Sequence, residues 1–221
     1  MHLYCDPAST TGRPLLMLIA ELGLAVEVHA ISLMAGEHRT PAFLALNPNG
    51  QVPVLADGDF RLTESGAILR YLVGDLPTTL VPTDHRGLAQ MDEALDWFKT
   101  GFSADFCAGV VYAQLLPHFR YPDPAIQAAV LARAKEKAAA RFEVLDRHML
   151  AGRPFLCGQA MTLADLVGAA MVTLGEGVGY DLAPYPNIQA WIGRMKARPS
   201  WGMANRAFEE LKAVLGAAVG A

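Results

Sequence analysis

Three hydroxyl side chains, Ser9, Thr10 and Thr11, stand in a row directly before a predicted helix. Hydroxyls in this position usually cap the helix by accepting hydrogen bonds from its free N–H groups. They can also donate to a bound anion, such as the thiolate of a small thiol, and the helix macrodipole favours negative charge there. A donor and the dipole together can lower the pKa of a thiol, ordinarily ~8.5, by about one to two units. The cluster therefore supports two interpretations, a helix cap and a thiol-activating site.

A second polar group, Glu64 and Ser65, stands at the start of another predicted helix. The apolar face of that helix consists of Ile68, Leu69 and Leu72. The free N–H groups at its start favour a bound anion, whereas the alternative interpretation is an ordinary helix cap.

Pro53 interrupts a short apolar strand that begins at Val52. Proline removes a donor from the strand ladder, so the strand must end there, lie at an edge or contain a cis peptide bond. A cis bond would leave the N–H and C=O groups of Val52 available to pair with an extended peptide. The alternative is that Pro53 only marks a sheet edge. Asp57-Gly58 predicts a tight hairpin turn to a partner strand at residues 60–62.

Patterns typical of metal or nucleotide sites are missing from the sequence. The six histidines include no HxxxH or HExxH spacing, and no cysteine lies near a histidine at ligand spacing, so we predict no metal. The glycine-rich run at residues 175–179 follows a helical pattern rather than a strand, which disfavours a dinucleotide site. Cys5 and Cys107 occur in strand and helix patterns and are typical of buried, inert thiols.

Composition limits the class of protein. The chain has 221 residues, 52% of them apolar and 18% charged, which is typical of a globular protein with one large or two small domains. The net charge of −4 disfavours a nucleic-acid partner. Three widely spaced cysteines without a CxxC motif suggest a reducing compartment. Without a recognisable signal peptide or membrane span, we expect a soluble, cytoplasmic protein.

The order of predicted elements divides the chain into two domains and a linker. Residues 1–73 contain strand, helix, strand, helix, strand, strand and helix, which predicts an α/β unit with a mixed sheet. Residues 74–83 have no periodicity and carry two prolines, so we predict a linker there. Residues 84–221 carry amphipathic patterns that predict an all-helical domain with a weaker C-terminal helix.

Local signals also set element boundaries. Gly23 is predicted to end the first helix, and residues 126–149 are predicted to form one long helix. Thr162 and Asp165 predict a capping box, flanked by Met161 and Leu166 as a hydrophobic staple.

Several of these segments, in this order, resemble the cytosolic glutathione transferases, most closely the serine-type theta and delta classes. The resemblance covers nearly the whole chain. The matching segments are Leu3-Tyr4 with Ser9 and Arg13, residues 36–38 (GEH), 47–53 (NPNGQVP), 63–68 (TESGAI), 92–97 (DEALDW) and 162–165 (TLAD). The fold that this implies is α/β plus all-α, with a thioredoxin-like N-terminal domain and a helical-bundle C-terminal domain.

The resemblance implies a role for each candidate site residue. Ser9 would stabilise the glutathione thiolate, with Thr10 and Thr11 as rivals. The chain departs from the theta and delta pattern at Thr11-Gly12, where those enzymes usually carry Pro-Cys. It also has Thr10 where beta-class enzymes carry a cysteine, which disfavours thiol exchange. The remaining implied residues are His38 and Gln51 for the glycine end of glutathione, Val52 and Pro53 for the cysteinyl backbone, Glu64 and Ser65 for the γ-glutamyl end, and Phe102, Phe106, Cys107 and Tyr112 for the electrophile pocket.

For the four pocket residues, core or dimer packing is the alternative. The implied activity is conjugation of the co-substrate glutathione to a small apolar electrophile by a homodimer, without a metal. A glutathione-dependent dehalogenase, isomerase or peroxidase, and a non-catalytic binding protein, are the other hypotheses. The electrophile itself is not predicted, because apolar pockets are specified by shape rather than by a motif.

Overall fold

A four-stranded mixed sheet organises the first part of the chain in the computed structural model, which describes residues 1–219. The strands occur in the order β2-β1-β3-β4. β1 pairs with β2 in parallel and with β3 in antiparallel, and β3 pairs with β4 in antiparallel. The strands are β1 (His2–Cys5), β2 (Glu27–Ala30), β3 (Val54–Asp57) and β4 (Phe60–Thr63).

Helices connect these strands and complete the first compact unit. α1 (Arg13–Leu22) joins the two parallel strands, as a parallel pair requires a crossover. A 3₁₀ turn (Glu37–Arg39) and α2 (Pro41–Leu46) precede β3, and α3 (Ser65–Val73) follows β4. The core of this unit includes Leu3, Leu15, Leu55 and Ile68, which are fully buried.

The last helix, α9 (Pro199–Val219), belongs to this first unit rather than to the helical one. The chain divides into one unit of Met1–Thr78 with the segment from Arg198 onward, and a second unit of Thr79–Ala197. This division differs from the predicted helical domain at residues 84–221. The difference arises because α9 packs on α1, with Arg198 and Ser200 both bonded to Glu21. The predicted end of this helix, residues 220–221, lies outside the described residues.

The named elements of the second unit are all helices within the described residues. Its most buried helix is α7, in which every residue is buried, as the nearly unbroken apolar sequence predicts. Two of its long helices change from α to π geometry, the first about halfway along and the second in its last six residues. The elements are α4 (His85–Trp97) continuing as a π-helix (Phe98–Tyr112), α5 (Ala113–Leu115), a 3₁₀ turn (Pro117–Phe119), α6 (Pro124–Val144) continuing as a π-helix (Leu145–Leu150), α7 (Leu163–Thr173), a 3₁₀ turn (Leu174–Val178) and α8 (Pro186–Lys196).

The predicted capping box at the start of α7 is confirmed. The backbone N–H of Thr162 donates to Asp165 Oδ2 at 2.8 Å, and the Thr162 side chain completes the reciprocal pair. Asp165 is fully buried, and burial is the main cause that raises the pKa of its carboxyl. Its other oxygen accepts from Trp191 Nε1 and from the N–H of Leu156, both at 2.9 Å. Asp165 thus ties α7 to α8 and to the loop before α7.

Two local predictions need small corrections. The hairpin turn is Gly58-Asp59 rather than Asp57-Gly58, because Asp57 still pairs with Phe60 in the ladder and Gly58 alone takes the positive φ, +55°. The third strand begins at Val54, after Pro53, rather than at Val52. Among the helices of residues 1–219, none combines the length and the apolar character needed to cross a bilayer.

Candidate active site

Three loops meet at one edge of the sheet. Val54, at the start of β3, pairs with Tyr4 on one side and with Thr63 on the other. Because both pairings are antiparallel, the end of β1, the start of β3 and the end of β4 lie at the same edge. The segments attached to these three strand ends are residues 6–12, 47–53 and 64–65. They contain most of the predicted glutathione residues.

The hydroxyl of Ser9 is held at the start of α1 by two hydrogen bonds. It donates to the carbonyl oxygen of Asp6 at 2.8 Å and accepts from the N–H of Gly12 at 2.9 Å. The oxygen therefore receives the N–H of Gly12, the residue directly before α1. An accepted hydrogen bond polarises a hydroxyl and makes it a better donor. The second predicted role, donation to an anion, requires the proton to leave the Asp6 carbonyl.

Gly12 leaves room for this arrangement. A Cβ at position 12 would lie 2.3 Å from the Asp6 carbonyl oxygen and 3.0 Å from Ser9 Oγ. The backbone of Gly12 has ordinary helical angles, φ −81° and ψ −46°, so the requirement is steric rather than conformational. The departure from the family pattern at residue 12 is thus coupled to the placement of Ser9.

Asp6 fixes the shape of the loop that carries Ser9. One carboxylate oxygen accepts from the N–H of Ala8 at 2.8 Å, and the other from the N–H of Leu33 at 3.2 Å. This is an Asx turn with an additional tie to the segment after β2. Asp6 was not among the predicted site residues, although its position after a strand and before Pro7 is a recognisable turn signal.

The two threonines differ in their surroundings. Thr11 is half-buried, and its Oγ1 lies 3.4 Å from the carbonyl oxygen of Val52 and 3.4 Å from Ser9 Oγ. Thr10 is buried, with 6% of its surface exposed. Thr11 therefore links the α1 loop to the residue before Pro53, and the peptide bond between Val52 and Pro53 is cis, which confirms one of the predicted alternatives.

The loop before Pro53 is shaped by Asn47 and packs against the 3₁₀ turn. The buried Asn47 side chain donates to the carbonyl of Gln51 at 2.7 Å and accepts from the N–H of Asn49 at 3.1 Å. Gly50 has a φ of +59°, and a Cβ there would lie 3.2 Å from the carbonyl oxygen of His38. The loop thus places Gln51, which is exposed, close to the turn that carries His38.

One ring nitrogen of His38 lacks a hydrogen-bond partner within the described residues. This nitrogen, Nδ1, is buried. A buried polar atom without a partner costs about 1–3 kcal/mol of folding free energy. A ligand group that forms a hydrogen bond with this nitrogen, after rotation of the imidazole ring, would remove that cost.

Glu64 and Ser65 form the start of α3. Glu64 has φ +66° and ψ +115°, a sparsely populated conformation for any residue except glycine, which costs of order 1–3 kcal/mol. Its side chain is exposed, whereas Ser65, the first residue of the helix, is 4% exposed. The sharp turn at Glu64 leaves the first N–H groups of α3 at the same edge as the loops described above.

Arg13, the first residue of α1, binds that helix to α9 and was not among the predicted site residues. It is fully buried, and its Nε donates to Asn205 Oδ1 at 2.6 Å. Its guanidinium also lies 4.0 Å from the ring centroid of Phe208 on α9. A fully buried arginine is rare unless it is paired. In the sequence, Arg13 stood out only through the family resemblance, because its partners lie about 190 residues later in the chain.

The four predicted electrophile-pocket residues have different environments. Phe102, Phe106 and Cys107 are buried in the second unit, and both phenylalanine rings contact Phe142. Their burial supports core packing, which was the alternative interpretation. Tyr112 is half-buried, with its ring 5.3 Å from that of Phe119. Two cavities of about 290 and 280 Å³ lie in this unit, and neither is lined by any of these four residues.

Cys5 is not a reactive thiol. It is fully buried, and burial together with the charge of Asp6 raises the pKa of its thiol to about 12. The thiolate population at neutral pH is therefore negligible. This agrees with the prediction that Cys5 is a buried, inert thiol.

Comparison with known proteins gives the family. Residues 1–74 match the model of the glutathione S-transferase N-terminal domain, and residues 91–199 match that of the C-terminal domain. The chain is 32% identical over 200 residues to human glutathione S-transferase theta-2, a match that covers 89% of this chain and 81% of the relative. The chain belongs to the glutathione S-transferase family.

Solved structures of glutathione transferases have the same fold. Human glutathione transferase theta-2, in complex with glutathione and an unknown ligand, has a TM-score of 0.82 at 28% identity and covers 99% of this chain and 90% of its own. A delta-class glutathione transferase from Nilaparvata lugens has a TM-score of 0.80 at 29% identity and covers 98% of both chains. The predicted thioredoxin-like domain followed by a helical domain, and the resemblance to theta and delta glutathione transferases, are confirmed.

Proposed function

We propose that this enzyme is a glutathione transferase that conjugates the glutathione thiolate to a small apolar electrophile. The observation that carries the proposal is the meeting of three segments at one sheet edge, where the Thr11 hydroxyl lies 3.4 Å from the Val52 carbonyl. The α1 loop supplies hydroxyl donors, the loop before Pro53 supplies backbone groups, and the start of α3 supplies charge and free N–H groups. These are the chemical groups that a tripeptide with a thiol and two charged ends requires.

Each part of glutathione has a proposed partner. The backbone of Val52, next to Pro53, pairs with the cysteinyl backbone in the manner of an added strand. Glu64 pairs with the γ-glutamyl ammonium, and Ser65 with its carboxylate at the helix N-terminus. His38 and Gln51, which follows Gly50 in the loop beside the His38 carbonyl, contact the glycine end.

Ser9 is proposed as the group that stabilises the thiolate. Its hydroxyl accepts the Gly12 N–H, so the partial charge of the α1 N-terminus is transmitted through it. When the thiolate binds, the proton now donated to the Asp6 carbonyl turns to the sulfur. The thiolate then attacks the electrophilic carbon and the leaving group departs with the bonding electron pair. Thr11 is the rival donor because it lies beside Val52, whereas Thr10 is buried.

The electrophile is proposed to be apolar and small. Of the four residues implied for its pocket, Tyr112 is the accessible one, and Phe102, Phe106 and Cys107 form the packed layer of the helical unit. Because shape rather than a motif defines such a pocket, a panel of electrophiles with glutathione is the direct test.

Product analysis distinguishes conjugation from the other glutathione reactions. We expect a stable thioether, formed when the glutathione sulfur displaces a leaving group from the electrophile or adds to it. Released halide with glutathione regenerated, an isomer with glutathione unchanged, or oxidised glutathione from a peroxide would identify the dehalogenase, isomerase or peroxidase instead. Glutathione binding without turnover across the panel would identify a binding protein.

The assembly and location are also proposals. Family membership favours a homodimer in the cytoplasm, with no nucleic-acid or membrane partner and a role in detoxification. Sedimentation of the full chain at micromolar concentration is expected to show twice the monomer mass, and a monomer would contradict the dimer.

A further inference from the structure

Two histidines and a carboxylate form a cluster on the first unit that the proposed function does not use. The residues are His2 on β1 and Glu27 and His29 on β2. One ligand atom from each lies within 4.8 Å of the other two. The side chains of His2, His29 and Glu27 are 49%, 34% and 65% exposed, so an ion from solvent can reach them.

The strand register explains why these side chains meet. In the parallel β1–β2 pair, His2 is the partner of Glu27, and Tyr4 is the partner of His29. Residues two apart on a strand share a face, so all four side chains lie on one face of the sheet. Tyr4 stacks on His29 with centroids 4.6 Å apart and an angle of 15° between the rings, which restrains the imidazole.

The distances between the ligand atoms fit a single small cation. His2 Nδ1 lies 3.1 Å from His29 Nε2, and 3.3 Å from Glu27 Oε2. His29 Nε2 lies 3.4 Å from Glu27 Oε1. Two ligands bound at about 2.0–2.1 Å to a tetrahedral Zn²⁺ ion are separated by about 3.3 Å. The three separations are close to this value, and the two that involve Glu27 use different carboxylate oxygens, one facing each histidine.

Hydrogen bonding alone satisfies these three contacts poorly. If only one of the two facing nitrogens carries a proton, the lone pair of the other faces a carboxylate oxygen. If both carry protons, each N–H can donate to its own Glu27 oxygen, but the two nitrogens then stand 3.1 Å apart with no hydrogen bond between them. A cation between them removes the conflict, because both nitrogens and the carboxylate then act as ligands.

We propose that His2, Glu27 and His29 bind one divalent transition-metal ion of the Zn²⁺ class, with water in the remaining coordination position. Imidazole and carboxylate are ligands that suit this class of ion. Because the ligands come from two neighbouring strands and β2 is an edge strand, the bound ion fastens that edge to β1. The proposal does not depend on glutathione chemistry.

Calorimetric titration of the full chain with ZnCl₂, in the absence of glutathione, tests the site. Glutathione is omitted because its own thiol binds Zn²⁺. The half-buried Cys157 is replaced in every sample by Cys157→Ser, since a thiol is a competing ligand. We expect one strong Zn²⁺ equivalent per chain. His29→Asn and Glu27→Gln are each expected to weaken it by at least ~10-fold, the lower end of what loss of an outer-shell partner costs.

The matched control is His118→Asn, which removes an exposed histidine from the second unit and is expected to leave the affinity unchanged. Circular dichroism verifies that each variant is folded. The proposal is overturned if the Cys157→Ser protein with its cluster intact takes up no Zn²⁺ at millimolar concentration. It is equally overturned if both cluster variants keep the affinity of that protein, or if the control weakens it as much as they do.

Discussion

The helices α1 and α3 start at the same edge of one sheet, but their N-termini are built differently. At α1 the hydroxyl of Ser9 is already engaged, with Asp6 as acceptor and Gly12 as donor. At α3 the exposed carboxylate of Glu64 is set on a strained backbone with φ +66°. The first arrangement holds a small polarised donor in place, which suits the control of a proton. The second holds a charged group out toward solvent, which suits binding. We infer that α3 binds glutathione and that α1 activates it.

The largest effect is expected on glutathione affinity, from a change at Glu64. Glu64→Gln keeps the side-chain size but removes the charge opposite the γ-glutamyl ammonium. Loss of a charged hydrogen bond of about 1.5–3 kcal/mol predicts a rise of roughly 10- to 100-fold in the Kd and KM for glutathione, with kcat nearly unchanged. Asp59→Asn, which removes an exposed acid from the hairpin turn, is the control for net charge. A fall in kcat at unchanged KM would contradict the binding role.

Ser9→Ala is expected to act on turnover instead. If Ser9 and the dipole lower the pKa of the thiol from ~8.5 by about one to two units, the variant loses roughly tenfold in kcat near pH ~6.5. The loss should shrink as the pH rises through ~8.5, because the free thiol then ionises without help. Steady-state kinetics across this range measure it. Thr11→Val is the comparison, and a larger loss in Thr11→Val than in Ser9→Ala would transfer the role to Thr11.

Gly12→Ala tests the placement of Ser9 without removing its hydroxyl. The added Cβ would lie 2.3 Å from the Asp6 carbonyl oxygen, so the loop must shift and carry Ser9 with it. We expect a loss in kcat that is no larger than the loss in Ser9→Ala and that shrinks with rising pH in the same way. The control is Gly202→Ala on α9, where the added methyl group meets open space. Wild-type kinetics in Gly12→Ala would show that the position of Ser9 is unimportant.

The smallest effect is expected on stability, where α9 docks on α1. The Glu21 carboxylate accepts from Arg198 and Ser200, and the bond from Arg198 is the main cause that lowers the pKa of Glu21 below 4.5. A lowered folded-state pKa gives stability that is present above the unfolded value and is lost as the pH falls through the folded one. Glu21→Gln should therefore cost about 1–2 kcal/mol near neutral pH and less near pH ~3.

Urea unfolding at the two pH values measures this difference. Glu143→Gln is the control, because Glu143 and Arg147 form an exposed pair in the second unit and such pairs contribute about 0.5 kcal/mol or less. An equal loss in both variants at neutral pH would show that the Glu21 contacts are ordinary surface contacts.

Elements whose signals are local were well predicted from the sequence. The first helix ends before Gly23, and the capping box of Thr162 and Asp165 is present. In each case one or two residues with a strong conformational preference determine the outcome. The hairpin turn was displaced by one residue, because Asp57 and Gly58 both favour turns and only the strand register decides between them.

Features that depend on distant residues were not predicted. Arg13 is buried by partners about 190 positions later in the chain, and no periodicity indicates that pairing. The spacing of four between Phe98, Phe102 and Phe106 is compatible with α and π geometry alike, so the change to a π-helix is not visible in it. Likewise, the cluster of His2, Glu27 and His29 has no motif spacing, because the strand register and not the sequence brings these residues together.

The role of Ser9 is tested most directly by the ultraviolet difference absorbance of the glutathione thiolate at saturating glutathione, followed against pH. In the wild-type enzyme we expect the thiolate to appear with a midpoint about one to two units below ~8.5. In Ser9→Ala we expect the midpoint to return toward ~8.5 while glutathione remains bound. The same lowered midpoint in both proteins, or no thiolate signal at neutral pH in the wild type, would contradict the assignment of Ser9.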